Sequence, residues 1–169
     1  MNMSTKDKIK SQEEIERIVE KLKKQGKTIV TTNGSFDILH SAHVNMLEQA
    51  KSQGDILILL LNSDSSIKRN KGDKRPIISE NERARLLAGL QCIDYVVIFS
   101  EDTPLKVLEK IKPSIHVKGG SVEQLRISEE QSLLSKWKGK FIQLPLEAGL
   151  STTNIIKKIL EVFNNESKN

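Results

Sequence analysis

KTIVTTNGSFDILHSAHVNML, residues 27–47, is the stretch on which the fold turns. Its first seven residues read as a short buried strand. From about Ser41 the spacing changes, and Val44, Leu47 and Ala50 fall on one face of a helix. Between the two lies a tight turn rich in Gly, Ser and Asp. Gly34 lets backbone amides approach a ligand, and the helix that follows offers unpaired N–H groups and the positive end of its dipole. His40 and His43 are three residues apart, near one face of that helix's first turn. Three readings of the turn stand open. It binds phosphate, or it is a structural turn with two surface imidazoles, or it holds a metal. No Cys or third His lies near enough in sequence to complete a zinc site.

Working outward, SQEEIERIVEKLKKQG (11–26) carries a capping box, Ser11 with Glu14, and an apolar face of Ile15, Ile18, Val19 and Leu22. DILILLLN (55–62) is nearly continuous apolar sequence, as expected of a strand covered on both faces in a parallel sheet. SDSSIKRNKGDKRPI (63–77) reads as a polar, basic loop. A second capping box, Ser79 with Glu82, opens a helix through Leu86, Leu87 and Leu90. DYVVIFS (94–100) is a strand, and DTPLKVLEKIKP (102–113) a helix with Thr103 as N-cap and Pro104 at its first position. SIHVKGG (114–120), SVEQLRISEEQSLLSKW (121–137), KFIQLPL (140–146) and TTNIIKKILEVF (152–163) read as strand, helix, strand and helix. His116, inside its strand, reads as a packed or edge residue.

This alternation predicts an α/β fold, a Rossmann-like doubly wound parallel sheet of five strands flanked by helices. The expected division is an N-terminal helical segment over 1–26 packed on the domain, the main domain over 27–163, and a polar tail over 164–169. Ligands of such folds sit beyond the carboxyl ends of the strands. There the sequence places NGSFD, NSD, KGG and GLSTT. Small polar residues at four ends of one edge argue for a site.

The chain has 169 residues, 37% of them hydrophobic, which suits one domain with a buried core. Its single cysteine, Cys92, permits no intrachain disulfide and fits a reducing compartment. No secretory leader and no run of roughly 18 apolar residues is visible. A cytoplasmic protein without membrane attachment is expected. Net charge is +5, but aromatic content is only 4% and the lysines are scattered, which disfavours nucleic acid and favours small anionic substrates. Neither G-x-x-x-x-G-K-[ST] nor G-x-G-x-x-G occurs.

NGSFDILHSAH, LNSDSSIKRNKGDKRPI, ISENERARLLAGLQCIDYVVIF, EDTPLKVLEKIKPSIHVKGG and LSTTNIIKKI, taken in order, resemble the cytidylyltransferase-like nucleotidyltransferases. Among these they are most similar to the bacterial D-glycero-β-D-manno-heptose 1-phosphate adenylyltransferases, over about Ile9 to Leu160. The resemblance implies that a sugar 1-phosphate attacks the α-phosphorus of ATP, giving ADP-heptose for lipopolysaccharide and releasing pyrophosphate. It assigns His40, His43 and Lys71 to catalysis, with Lys71 and Arg75 on the substrate phosphate. Nucleotide binding falls to Gly34, Ser35, Phe36, Asp37, Ala42, Arg83, Lys118, Gly119, Gly120, Ser151, Thr152 and Thr153. Mg²⁺ is carried mainly by the ATP phosphates, with Asp37 as candidate ligand or as the residue that orients the loop. A homodimer or larger homo-oligomer is implied as well.

Three departures from the family pattern stand out. Ala42 replaces the glycine of H-x-G-H, Ser121 follows KGG where an aspartate is usual, and Asn70 occupies an ordinarily apolar place. Two other readings are a cytidylyltransferase for glycerol phosphate or a similar phosphate, and a nucleotide-binding inactive paralogue. LPLEAGLSTT lacks the arginine that the glycerol-phosphate enzymes carry before S-T-T, which favours the heptose relatives.

Overall fold

The computed structural model describes residues 4–119, 124–145 and 151–166, with side chains to residue 163. Six parallel strands form one sheet: β1 (Ile9–Lys10), β2 (Ile29–Gly34), β3 (Ile56–Asn62), β4 (Tyr95–Phe99), β5 (Ile115–Gly119) and β6 (Lys140–Leu144), in the spatial order β1-β4-β3-β2-β5-β6. The doubly wound parallel fold is as expected, but the sheet has six strands rather than five. The extra one, β1, pairs Ile9 with Val96 and Lys10 with Val97 at the edge. Two residues show no alternation, so the sequence pattern could not reveal them. The N-terminal segment therefore contributes a strand as well as a helix.

β3 explains why the sheet must be covered twice. Leu57, Leu59 and Leu61 face a core shared with Leu47, Ala84 and Leu87, while Ile58 and Leu60 face one with Ile15, Val107, Leu108 and Leu134. These five side chains of β3, residues 57 to 61, are fully buried. The first face is covered by α2 (Ser41–Lys51) and α4 (Glu80–Ala88), the second by α1 (Gln12–Lys24), α5 (Leu105–Ile111) and α6 (Gln124–Ser135). At roughly 25 cal/mol per Å² of apolar surface removed from water, each such leucine contributes about 1.5–3 kcal/mol.

Local signals fared unevenly. Ser11 and Glu14 close the expected capping box on α1. Ser79 does sit at the N-cap of α4, but no box forms, because its side chain makes no cap hydrogen bond. Glu80 instead accepts from the Asp64 backbone N–H at 2.6 Å. α5 has Pro104, not Thr103, as N-cap. The expected loop after β3 contains a helix, α3 (Asp64–Lys71), capped by Ser63, whose hydroxyl accepts from Ser66 N–H. Only Ile67 gives α3 a large apolar anchor, too little for a periodic stripe. The last helix, α7 (Thr152–Glu166), passes the expected boundary at 163.

The chain runs outward from β2 through β3 to β4, then crosses back to lay β5 on β2's other side. The crevice between the carboxyl ends of β2 and β5 is thus the topological switch point, the place where open parallel sheets bind ligands.

Candidate active site

A cleft of about 590 Å³ opens at that switch point, lined among others by Gly34, Ser35, Phe36, Asp37, His40, Ala42, His43, Lys71, Arg75, Gly119, Ser151, Thr152 and Thr153. Most residues singled out in the sequence therefore share one wall system, although they come from six segments. Asn33, Met46, Gln49, Leu144 and Pro145 line it too and were not foreseen. The last two follow from the carboxyl-end rule applied to β6. Asn33 opens the NGSFD stretch but was given no role of its own, and Met46 and Gln49 carry no motif signal. A separate, more open depression of about 670 Å³ lies at the opposite edge, ringed by Lys23, Lys27, Lys112, Lys138 and Lys140, and shares no residue with the cleft.

Phe36 drives the turn's shape. Its backbone is left-handed, with φ 44°, and its ring is buried against Gly34. A Cβ on Gly34 would lie 2.8 Å from that ring, so glycine is required by the close approach. His40 is the N-cap of α2, and His43 N–H donates to the His40 carbonyl at 3.0 Å. The two imidazoles stack with centroids 3.8 Å apart, and the Phe36 ring lies 5.1 Å from that of His43. Burial, then the nearby His40 and Lys71, pull the His43 pKa down to about 4. His43 is therefore a neutral imidazole at physiological pH. Its Nδ1 is buried and makes no hydrogen bond among the described residues.

Lys71 is the last residue of α3, followed at once by Gly72 with φ 88°, a conformation that favours glycine and ends the helix. Asn70 steadies this end. Its side-chain amide donates to the carbonyls of Ser66 at 3.0 Å and Asp102 at 3.4 Å, and accepts from Arg126 of α6 at 2.9 Å. An apolar side chain could make none of these bonds. Burial, then the charge of Arg75, lowers the Lys71 pKa, so an incoming anion would meet an incompletely compensated cation.

Several predicted residues occupy unexpected places. Asp37 has no exposed side-chain surface. Its Oδ1 accepts from the Ile77 and Ile78 backbone N–H groups at 2.8 and 2.9 Å, and its Oδ2 from Arg75 Nε at 2.5 Å. It is thus engaged in fastening the 75–78 segment to the histidine loop. Among the described residues no cluster of three or more His, Cys, Asp or Glu side chains could hold a metal ion. The donor set does not fit a protein-held metal.

Arg83 is buried beneath the loop, outside the cleft lining. It donates to the carbonyls of Ser35 at 2.6 Å, Asn62 at 2.9 Å and Ile78 at 2.9 Å, and pairs with Asp64 at 2.7 Å. Its carboxylate partner is thus Asp64 of α3, across the loop, and not a glutamate of its own helix. Lys118 is likewise buried, its ammonium 2.6 Å from Glu130 Oε1 and 2.7 Å from Asn33 Oδ1. Ser151 caps α7 by accepting from Asn154 N–H at 3.1 Å. Gly120 and Ser121 lie outside the described residues, as do Leu146 and Glu147, which stand in LPLEAGLSTT before S-T-T where the glycerol-phosphate enzymes carry an arginine.

A parallel-sheet switch point with a glycine-bearing turn, a helix N-terminus, two stacked imidazoles and two cations defines an α/β protein with a cleft suited to an anionic ligand. Residues 31–158 match the cytidylyltransferase-like family, and the chain belongs to it. It is 49% identical over 159 residues to the bifunctional protein HldE of Geobacter metallireducens, covering 94% of this chain and 32% of that protein. With HldE of Helicobacter pylori identity is 50% over 150 residues, 89% of this chain and 31% of the relative. The chain thus spans about a third of the length of these relatives. Among solved structures, a lipopolysaccharide core biosynthesis protein from Thermoplasma volcanium superposes with a TM-score of 0.60 and 29% identity, covering 74% of this chain and 99% of that one. A pantoate-beta-alanine ligase from Francisella tularensis, at TM-score 0.63 and 17% identity over 92% of this chain and 78% of that one, shares the fold.

Proposed function

We propose that this chain is an adenylyltransferase that moves AMP from ATP to D-glycero-β-D-manno-heptose 1-phosphate in the cytoplasm, giving ADP-heptose and pyrophosphate. The observation that carries the reading is the convergence on one cleft of neutral His43 at the start of α2, Lys71, Arg75 and the Ser151–Thr153 segment. An oxygen of the sugar phosphate attacks the α-phosphorus, and the bond to the pyrophosphate oxygen breaks. Charge develops on the transferring group, where imidazole N–H groups and the α2 N-terminus stabilise it. Lys71 and Arg75 hold the sugar phosphate. Positioning and charge stabilisation supply most of the catalysis. Mg²⁺ arrives as part of the MgATP substrate. The heptose assignment rests on the ordered motifs and on relatives named HldE and lipopolysaccharide core biosynthesis protein.

The test incubates purified chain and Mg²⁺ with ATP or CTP and each of heptose 1-phosphate and glycerol 3-phosphate, measuring pyrophosphate. Release with ATP and the heptose alone is expected. Release only with CTP and glycerol phosphate, or nucleotide binding without turnover, would overturn the assignment.

We also propose a homodimer through α7, whose Ile159, Leu160, Val162 and Phe163 are between 47% and 60% exposed. No helix among the described residues is long and apolar enough to cross a membrane.

A further inference from the structure

Behind the cleft, five polar side chains are strung along the seam between β2 and β5. Thr31 Oγ1 lies 2.8 Å from His116 Nδ1, and His116 Nε2 lies 3.5 Å from Glu130 Oε2. The other Glu130 oxygen accepts from Lys118 Nζ at 2.6 Å, and the same ammonium donates to Asn33 Oδ1 at 2.7 Å. The sheet register creates this line. Thr31 pairs with His116, so Asn33 and Lys118, each two residues on, emerge side by side on the same face. Thr31, His116, Lys118 and Glu130 are all buried. Only Asn33 reaches the cleft.

A buried ammonium and carboxylate are a poor way to stabilise a core, since well-packed apolar residues of similar volume serve as well or better. The string does, however, impose a direction on its last member. An ammonium donates and cannot accept, so it selects the carbonyl end of the Asn33 amide and turns the NH₂ end away. Asn33 Nδ2 has no hydrogen-bond partner among the described protein residues, and the space it borders is the cleft. The ammonium also polarises the amide, strengthening its N–H groups as donors to a negative oxygen.

We infer that Asn33 contacts the bound nucleotide, offering its amide protons to an anionic phosphate oxygen, and that Lys118 and Glu130 are positioning residues that fix this orientation from behind. The inference rests on the nucleotide reading of the cleft. It exchanges the roles expected from sequence: Lys118 stands in the second row, and Asn33, given no role there, stands in the first.

The test is calorimetric affinity for α,β-methylene-ATP with Mg²⁺, which needs no acceptor substrate. Asn33→Ala should weaken binding about tenfold. Asn33→Asp should weaken it at least about a hundredfold, because one carboxylate oxygen keeps Lys118 while the other meets the phosphate. Glu130→Ala should also cost about tenfold, whereas Glu130→Gln, whose carbonyl can still accept from Lys118, should stay within about threefold. Adding Asn33→Ala to Glu130→Ala should cost little more, since both break one chain of contacts. Should Glu130→Ala not fold, Lys118→Met with Glu130→Leu removes both charges at similar volume and should show the same loss. An Asn33→Asp variant that binds like the wild type, or fully additive losses, would overturn the inference alone. Failure of the wild-type chain to bind the analogue would overturn the nucleotide reading itself, before any variant is compared.

Discussion

Replacing Arg83 by Met separates two roles that the sequence could not tell apart. The side chain is fully buried and its guanidinium holds three carbonyls, those of Ser35, Asn62 and Ile78, besides the Asp64 carboxylate. Methionine fills much of the volume but donates nothing. Each carbonyl left dry costs about 1–3 kcal/mol, while Asp64, one-third exposed, can turn to water. Three such carbonyls amount to roughly 3–9 kcal/mol, and local relaxation puts the expected loss in the lower half of that range, a large part of a domain's typical 5–15 kcal/mol. For a chain of this length each kcal/mol moves the melting point by about 2–4 °C, so calorimetry should show a fall on the order of 10 °C. Nucleotide KM should rise with it, because the Ser35 carbonyl anchors the loop. Arg83→Lys, with one ammonium for several acceptors, should recover only part. A Met variant that melts within about 2 °C of the wild type yet has a raised nucleotide KM would refute the reasoning and return Arg83 to the ligand.

Four further outcomes are expected. His43→Ala should lower kcat by about 10²–10³-fold in a pyrophosphate assay without lowering the melting point; an unchanged rate would refute its role. Lys71→Met should reduce kcat/KM for the sugar phosphate by about tenfold or more, with nucleotide affinity far less affected; equal losses for both ligands would count against it. Stability should fall on acidification. Burial holds His43 near 4 and also depresses His116, so the folded chain keeps imidazoles neutral that the unfolded chain protonates below about 6.5. Their contribution is complete above that pH and is lost as pH drops toward 4. Urea titrations at pH 7 and 4.5 check this, and the drop should be smaller in His43→Ala. Leu160→Glu, placing a charge on the exposed face of α7, should convert a dimer to a monomer in sedimentation; a wild-type monomer would remove the proposed interface.

Sequence alone determined the alternating architecture, because hydrophobic period is a local property. DILILLLN, bounded by turn signals, reads as a strand covered on both sides, and NGSFDILHSAH as a turn that leads two histidines into a helix start. It also fixed the family, since the ordered motifs survive as linear text. It missed β1, too short to show a period, and α3, whose polar surface carries no stripe. What the tertiary structure decided was the direction of side chains that the motifs merely name. The family resemblance assigned Arg83 and Lys118 to the nucleotide by their place in the motifs. In the fold they face buried carbonyls, a carboxylate and an amide. Asp37 is similarly consumed by two backbone N–H groups and Arg75. Asn33 reaches the cleft only because β5 lies beside β2, a pairing between residues 85 apart in sequence. Such assignments depend on which groups must be satisfied when water is excluded. That balance exists only once distant segments are packed together.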